Sequence, residues 1–226
     1  MKNKWMITII FLVVFPLRVH ADSFTPVQVS LGNPFMFWVI IPPLAAWGFE
    51  HPVQIFPKDW DVHGLRLTLL QSINQDVSGL DVGLAPITKG DARAVQIALA
   101  AIVEGDMKGI QIGEVNVVRK EMTGLQIGLI FDVSGGDLKG VQLGPGGNIV
   151  SGNLRGMQIA ISANAVAGEM AGLQLGGVVN IAKSEARGVQ IGLVNYASSL
   201  KGVQIGLINI IKEGPLPFFP IVNAGF

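Results

Sequence analysis

Acid–base and metal-binding side chains are sparse in this 226-residue chain. The absence of cysteine from the sequence excludes a thiolate metal site and a cysteine nucleophile. Beyond His20, the histidines are His51 and His63, and their positions match neither the spacing of metal ligands nor a serine triad. The sequence therefore predicts neither a catalytic histidine nor a histidine metal site.

Other short motifs also fall short of a catalytic site. Asp59 and Asp61 flank Trp60, but on a strand both acids would lie on one exposed face without a partner for acid–base work on a sugar. The segment Gly144–Asn148 lacks the Lys-Ser/Thr of a phosphate loop, and no serine lies in a G-x-S-x-G motif. We expect a protein without enzymatic activity, cofactor or small-molecule substrate.

One set of acidic residues recurs at a nearly constant interval and is the remaining candidate for ligand chemistry. As a weak candidate cation site it comprises Asp76, Asp91, Asp106, Glu121 and Asp137. A Lys or Arg stands two residues after many of the acids, and adjacent columns of opposite charge in a stack attract each other. The sequence thus favours a solvated, ion-paired edge, with a cation-binding carboxylate edge as the alternative.

These acids belong to a tandem repeat that starts at Asp61. Its ten copies open 14 to 16 residues apart, at Gly64, Gly79, Ala94, Gly109, Gly124, Gly140, Gly156, Gly172, Gly188 and Gly202. The clearest copies read Gly188-Val-Gln-Ile-Gly-Leu-Val-Asn195 and Gly202-Val-Gln-Ile-Gly-Leu-Ile-Asn209. A nearly fixed short period of this kind is the signature of stacked supersecondary units.

Within each copy the residue types alternate with period 2, as on a strand whose two faces differ. Aliphatic residues stand one and three positions after the opening residue, and Gln stands between them in eight copies. We expect the aliphatic columns to fill a narrow core and the Gln side chains, on the polar face, to form an amide ladder. Arg66 and Asp81 replace Gln in adjacent copies and are predicted to form an ion pair.

The opening glycine is predicted to be a bend. An apolar residue lies two positions before it in all ten copies, although strict alternation through the glycine would place that residue on the polar face. The strand must therefore change phase at the glycine, which adopts backbone conformations that other residues resist. A turn is expected around Asn116, Asn195 and Asn209, where a copy ends.

These features predict an all-β fold, a parallel β-solenoid of about ten coils of 15–16 residues with N- and C-terminal caps. The alternative is an antiparallel outer-membrane β-barrel with one strand per repeat, which the terminal Phe226 would suit. Against the barrel, the apolar face of a repeat is usually only about three residues long, and a single tyrosine with no tryptophan in the repeats cannot form two aromatic girdles. The solenoid is therefore the favoured prediction.

The chain is also predicted to be exported. Met1–Ala21 has two early lysines, an apolar stretch from Trp5 to Leu17 and a small residue before Asp22, which is the layout of a signal peptide. Export without cysteine fits a bacterial envelope or surface protein. Acidic and basic residues are balanced at 16 each, which argues against a nucleic-acid partner.

The predicted organisation has four parts: a signal peptide at 1–21, an N-terminal cap at 22–60, the repeat domain at 61–211 and a C-terminal cap at 212–226. Proline and tryptophan are concentrated outside the repeats, as expected of end structures that interrupt a stack. The apolar run Phe35–Ile41 is too short to cross a bilayer as a helix. It is expected either to pack within the cap or to contact a membrane or partner.

Several segments, taken in order, resemble a bacterial surface-repeat family first noticed in Leptospira. They are Pro52–Leu67, Val77–Leu84, the two GVQIGLxN copies and Leu216–Asn223. The resemblance implies an exported, repetitive protein associated with the envelope or surface, without an established activity. Copies depart from the family pattern at Ala94, Glu114 and Pro145.

The predicted function is that of an exported, non-enzymatic repeat protein in the outer membrane, at the cell surface or in the periplasm. Its long faces would serve as a structural or interaction surface for a protein, glycan or membrane partner. The alternative function is that of an outer-membrane barrel acting as a pore or anchor.

Overall fold

The computed structural model describes residues 23–32 and 52–226, which form sixteen strands. The predicted signal peptide and the apolar run at 35–41 lie outside these residues. Within the described part of the chain, no helix is long and apolar enough to span a bilayer. The described residues form strands and the connections between them.

The strands follow the repeat closely, with several running through the bend of a coil. In chain order they are β1 (Phe24–Gly32), β2 (Val53–Gln54), β3 (Asp61–Asn74), β4 (Val77–Thr88), β5 (Ala92–Ala98), β6 (Ala100–Val103), β7 (Met107–Val118), β8 (Met122–Ser134), β9 (Leu138–Gly144), β10 (Gly147–Val150), β11 (Leu154–Ala160), β12 (Ala163–Val166), β13 (Met170–Gly176), β14 (Val179–Ile191), β15 (Val194–Ile211) and β16 (Phe218–Gly225).

Consecutive repeats pair in parallel and in the predicted register. Gly64 in β3 lies opposite Gly79 in β4, and the same correspondence continues to Gly188 in β14 opposite Gly202 in β15. The chain is therefore a parallel β-solenoid of about nine turns, which confirms the predicted fold class. The antiparallel alternative is wrong, because each repeat hydrogen-bonds to the next in the same direction.

Each coil passes through two parallel sets of paired segments. The first sheet contains the segment around each Gln, as in the pairing of β9 with β11 and of β11 with β13. The second sheet contains the segment that follows, as in the pairing of β6 with β7 and of β10 with β12. A second bend, distinct from the one at the opening glycine, separates the two segments. The outward side chains of the two sheets therefore form two different sides of the solenoid.

Both ends of the parallel stack finish on an antiparallel strand. At the N-terminal end β1 adds one more parallel strand, with Gln28 opposite Arg66, and the short β2 pairs with β1 in the antiparallel direction. At the C-terminal end β16 pairs antiparallel with β15, with Gly225 opposite Gly202. An open strand edge is a template for pairing with another chain. Here β16 covers the edge at the C-terminal end, while β2 pairs with Ser30 and Gly32 at one end of β1.

The interior of the solenoid differs from the prediction. The apolar residue two positions before each opening residue is buried, but the aliphatic residues after it face outward, as shown by the exposed fractions of Ile97 (43%) and Ile205 (42%). The buried apolar set comprises Val62, Val77, Ala92, Met107, Met122, Leu138, Leu154, Met170, Ala186 and Leu200, with Val103, Val118, Val150, Val166, Ala182, Ala197 and Ile211 from the second sheet.

The prediction that the aliphatic columns fill the core is therefore wrong. Period-2 alternation separates two faces of a strand but does not say around which face the chain closes. A Gln column can be buried when each amide satisfies its neighbour, because the cost of burying a polar group arises from its unmade hydrogen bonds. This chain closes around its amides and leaves its aliphatic columns outside.

The opening glycines form the predicted bend. All nine have a positive φ, between 120° and 151°, whereas Ala94 does not share this conformation. Stacking adds a second restriction, because a Cβ on Gly156 would lie 1.9 Å from the carbonyl oxygen of Gly140 in the preceding coil. Backbone conformation and the close approach of successive coils therefore both select glycine.

We predict that Gly156→Ala lowers the free energy of unfolding by at least about 3 kcal/mol, because the variant combines an unfavourable φ with a backbone clash. Gly147→Ala is the matched control, since its φ is not positive and its Cβ would lie 3.4 Å from the nearest atoms. Chemical denaturation of both variants measures the difference. Equal losses of stability in the two variants would contradict this account of the bend.

Candidate functional site

The acidic residues singled out by the sequence do form a column, and their carboxylates bond to the backbone. The backbone N–H of Asp91 donates to Asp76 Oδ1 at 2.8 Å, and that of Asp106 donates to Asp91 Oδ1 at 2.9 Å. The same contact joins Glu121 to Asp106 at 3.1 Å and Asn153 to Asp137 at 2.7 Å. The short side chains of this acidic column therefore bind each coil to the next.

Exposed ion pairs accompany the acidic column. Lys139 Nζ lies 3.5 Å from Glu121 Oε2, while Glu185 Oε1 is 2.5 Å from Arg187 Nε and 3.2 Å from Lys201 Nζ. The hydrogen bond from Arg187, followed by that from Lys201, holds the pKa of Glu185 below its usual value. Among residues 23–32 and 52–226, no group of three His, Cys, Asp or Glu side chains is placed to hold a metal ion.

The remaining candidate residues are used in contacts between coils. His63 Nδ1 shares a 2.9 Å hydrogen bond with Ser78 Oγ in the next coil, and the His63 ring packs edge-on against Phe24. Asp61 accepts the backbone N–H of Asp76 at 3.0 Å, and the Trp60 ring stacks on Phe56. His51 lies outside the described residues.

The predicted Gln ladder is present and runs through the interior. Each Gln Nε2 donates to Oε1 of the preceding Gln at 2.6–2.9 Å, through Gln96, Gln111, Gln126, Gln142, Gln158, Gln174, Gln190 and Gln204. All eight side chains are buried. The ladder thus supplies the hydrogen bonds that allow these amides to lie inside.

An ion pair starts the Gln ladder. Gln96 Nε2 donates to Asp81 Oδ2 at 2.6 Å, and Arg66 binds the same carboxylate through Nε at 2.8 Å and Nη2 at 2.6 Å. Arg66 and Asp81 are completely buried, so the predicted pair is confirmed. Because an ionised carboxylate only accepts hydrogen bonds, Asp81 fixes the direction in which every amide of the ladder donates.

A second ladder of Asn side chains lies inside the second sheet, where sequence reasoning expected a turn. Each Asn Nδ2 donates to Oδ1 of the following Asn at 2.8–2.9 Å, through Asn148, Asn164, Asn180, Asn195 and Asn209. Asn116, Asn195 and Asn209 lie within strands, so the turn prediction at these residues is wrong. The recurrence of Asn at one repeat position was the signal for a second buried amide column.

Asp132 interrupts the Asn ladder. Its Oδ1 accepts from Asn116 Nδ2 at 2.8 Å and its Oδ2 accepts from the Gly128 backbone N–H at 2.9 Å. The next residue of the ladder, Asn148, donates onward to Asn164, and its own Oδ1 has no hydrogen-bond partner among the described residues. Burial raises the pKa of Asp132 to about 6.

The outer surface of the solenoid is apolar on two of its sides. On the first sheet it consists of the aliphatic residues one and three positions after each opening residue. The corner column follows at the bend between the sheets, with exposed fractions of 43–71%: Leu69, Leu84, Leu99, Leu129, Ile161, Val178, Leu193 and Leu207. The second sheet adds the outward residues Ile87, Ile102, Val117, Val133, Ile149, Ala165, Ile181, Tyr196 and Ile210. We call this whole surface the apolar face.

A shallow groove runs along the apolar face, between the first sheet and the corner column. Its floor is made of small residues four positions after the opening residue, such as Gly113, Gly128 and Gly144. Two stretches of the groove, of about 760 and 700 Å³, share Ile127 and Leu129 and are therefore continuous. Because most residues of the floor are glycines, which have no side chain, a channel is left that crosses most of the coils.

Charged side chains are concentrated on the remaining side of the solenoid. The acidic column lies in its middle, and basic residues lie along both of its margins. The margin beside the first sheet carries Arg93, Lys108, Lys139, Arg155, Arg187 and Lys201. The margin beside the second sheet carries Lys89, Arg119, Lys183 and Lys212, together with Glu104, which pairs with Lys89 at 2.9 Å. Within the described coils, the charged residue that enters the apolar face is Glu114, which lines the groove.

Comparison with protein-family models, with curated proteins and with solved structures finds no match to this chain.

We predict that Asp81→Gln lowers the free energy of unfolding by about 3–5 kcal/mol, because it leaves the Arg66 guanidinium buried without its carboxylate. The double variant Arg66→Gln/Asp81→Gln extends the Gln column by two members and is expected to recover most of that loss. Chemical denaturation of the two single variants and the double variant measures the coupling. Additive losses would show that the two side chains do not depend on each other.

We predict that Asp132 makes the protein less stable as the pH rises from about 4 to about 6. Its folded-state pKa of about 6 lies above the ordinary value of 3.8, so in this range the folded chain holds a proton that the unfolded chain has released. The stability lost over the range is about 3 kcal/mol. Asn148 lies opposite Asp132 in the paired strands, so a protonated Asp132 would offer a donor next to the buried Asn148 Oδ1.

Asp132→Asn supplies that donor permanently and is the control. We expect this variant to be more stable than the parent chain at pH 7, and the difference between the two to shrink as the pH falls towards 4. Denaturation at several pH values measures this difference, in which all other carboxylates cancel. A difference that is constant with pH would show that Asp132 has the same proton affinity in both states.

Proposed function

We propose that the chain is an exported, non-enzymatic repeat protein of the bacterial envelope or surface, and that it acts through its apolar face. The layout of Met1–Ala21 as a signal peptide supports export, and an exported chain without cysteine fits a bacterial envelope or surface protein. The use of His63, Asp61 and the acidic column in contacts between coils supports a structural role for the polar residues. The function then belongs to a surface and not to a catalytic centre.

The size of the apolar face is the observation that carries this proposal. The face is about nine turns long at the strand spacing of about 4.8 Å, and its width along the chain, from the first sheet to the second, is roughly 23 Å. Length times width gives roughly 1,000 Å² of continuous apolar footprint. Contiguous apolar patches on soluble monomers rarely exceed a few hundred Å². A surface this large is therefore expected to be covered in the cell.

The interior suits a rigid support for such a surface. Hydrogen bonds between Gln side chains and between Asn side chains link successive coils, in addition to the backbone pairing of both sheets. The nine glycine bends repeat the same backbone conformation from coil to coil. The outward residues consequently keep a constant spacing along the solenoid, which is a useful property of an interaction surface.

Expression of the full chain in a Gram-negative bacterium tests this proposal. We expect the purified protein to begin at Asp22 and to be found in the periplasmic, outer-membrane or surface fraction. A variant that lacks residues 1–21 is the control and is expected to remain in the cytoplasm. An intact chain that stays in the cytoplasm with Met1–Ala21 attached would contradict the proposal.

A further inference from the structure

We propose that the apolar face is covered by a lipid bilayer with anionic headgroups, on which the solenoid lies with its long axis in the membrane plane. This inference rests on the proposed function and specifies the partner of the apolar face. Four properties of the face support it: its shape, its lack of charge, the charges at its margins and the pairing of its backbone.

The shape of the apolar face favours a fluid partner. Its two sides meet at the corner column, whose members project furthest, as shown by the exposed fractions of Leu129 (62%), Ile161 (71%) and Leu207 (65%). A rigid partner would need a matching concave surface to contact both sides, and a second copy of this chain would present the same convex corner. Hydrocarbon chains adapt to a convex apolar surface and fill the groove beside it.

The lack of charge on the face matches the hydrocarbon region. In the described coils the twenty residues one and three positions after the opening residues are all aliphatic or Met, and Glu114 is the charged exception nearby. Glu114 is partly buried, takes the corner-column position between Leu99 and Leu129, and lines the groove. An amphipathic element with such a face buries it roughly 5–10 Å deep at the boundary between headgroups and acyl chains.

The charges at the margins favour anionic lipid over a second copy. Basic residues outnumber acids on both borders of the apolar face, where Glu104 pairs with Lys89, while the acidic column lies behind them, on the side away from the face. Lys and Arg can extend their apolar stems along the hydrocarbon while their charged ends meet lipid phosphates. Two copies placed face to face would instead bring basic margins close to basic margins, which is unfavourable.

The pairing of the backbone allows the face to enter a low-dielectric region. Peptide groups that enter hydrocarbon must have their hydrogen bonds satisfied within the protein. The coils under the apolar face pair with both neighbours, as β11 does with β9 and β13. At the C-terminal end β16 pairs with Gly202–Gly206, Asn209 and Ile210 of β15, and at the N-terminal end β2 pairs with Ser30 and Gly32 of β1.

Vesicle flotation with the exported chain, purified after signal cleavage, tests the inference. We expect the protein to float with vesicles of phosphatidylethanolamine and phosphatidylglycerol. Binding to phosphatidylcholine vesicles is expected to be weaker, and raised salt is expected to reduce binding to the anionic vesicles. A folded protein that remains at the bottom of the gradient with the anionic vesicles would overturn the inference.

The double variant Leu129→Glu/Ile161→Glu places two charges in the corner column, and we expect it to bind anionic vesicles at least tenfold more weakly. Asn153→Glu is the matched control, because Asn153 is exposed in the acidic column, on the side away from the apolar face, where other coils carry Glu. Circular dichroism and thermal melting establish that all three proteins are folded. Equal binding by the corner variant and the control would overturn the inference.

A fluorescence measurement gives a readout that does not depend on weakened binding. Relative to the parent chain, whose Trp38, Trp47 and Trp60 also fluoresce, Leu129→Trp is expected to add a blue-shifted signal that brominated lipids quench when anionic vesicles are added, whereas Asn153→Trp is not. Added quenching at Asn153→Trp with none at Leu129→Trp would show that the charged side lies on the membrane and would overturn the inference.

The alternative partners give different results. A dimer in analytical ultracentrifugation that the corner variant dissociates, without vesicle binding, would show that a second copy covers the apolar face. Export with neither vesicle binding nor dimerisation would leave the proposed function in place and point to another protein. Vesicle binding by a chain that is not exported would instead contradict the proposed function alone.

Discussion

Every part of this structure depends on the stacking of equivalent residues at the spacing of neighbouring parallel strands, about 4.8 Å. At that distance each side chain lies above its own counterpart, so the residue types that succeed are those that can contact their own kind. Gln and Asn both donate and accept, and so they form ladders. Glycine permits the close approach of successive bends, and Asp accepts a backbone N–H from the next coil. The composition of the chain follows from this self-matching.

The same constraint explains what the sequence predicts well. The repeat period places equivalent residues in one column, and Arg66 and Asp81 stand out because opposite charges interrupt the Gln column in adjacent coils. The bend at the opening glycine is also predictable, because apolar residues change phase across it. Each of these predictions uses relations between neighbouring coils and needs no knowledge of which side faces the interior.

What the sequence does not predict is the direction in which the coil closes. Aliphatic residues and Gln alternate on the strand, and hydrophobicity alone places the aliphatic residues inside, as for Ile97 and Ile205, which are in fact exposed. The outcome depends on whether the amides satisfy each other, which is a property of the assembled stack. The sequence also does not predict that Asp132 is buried or that β1 adds a parallel strand to the stack. Both the residue and the strand depart from the repeat by which the other coils are recognised.

The opposite directions of the two amide ladders have an electrostatic consequence. Gln side chains donate towards the N-terminal coils and Asn side chains towards the C-terminal coils, so from Asn148 to Asn209 the two rows of amide dipoles point in opposite senses and largely cancel. In an α-helix, by contrast, aligned peptide dipoles add to a field along the axis. Towards the N-terminus the Gln row has no such counterpart, and its positive end meets the Asp81 carboxylate. The second ladder therefore offsets the axial polarity of the C-terminal coils, whereas the Arg66–Asp81 pair, with its positive member in the first coil, continues the polarity of the Gln row at the other end.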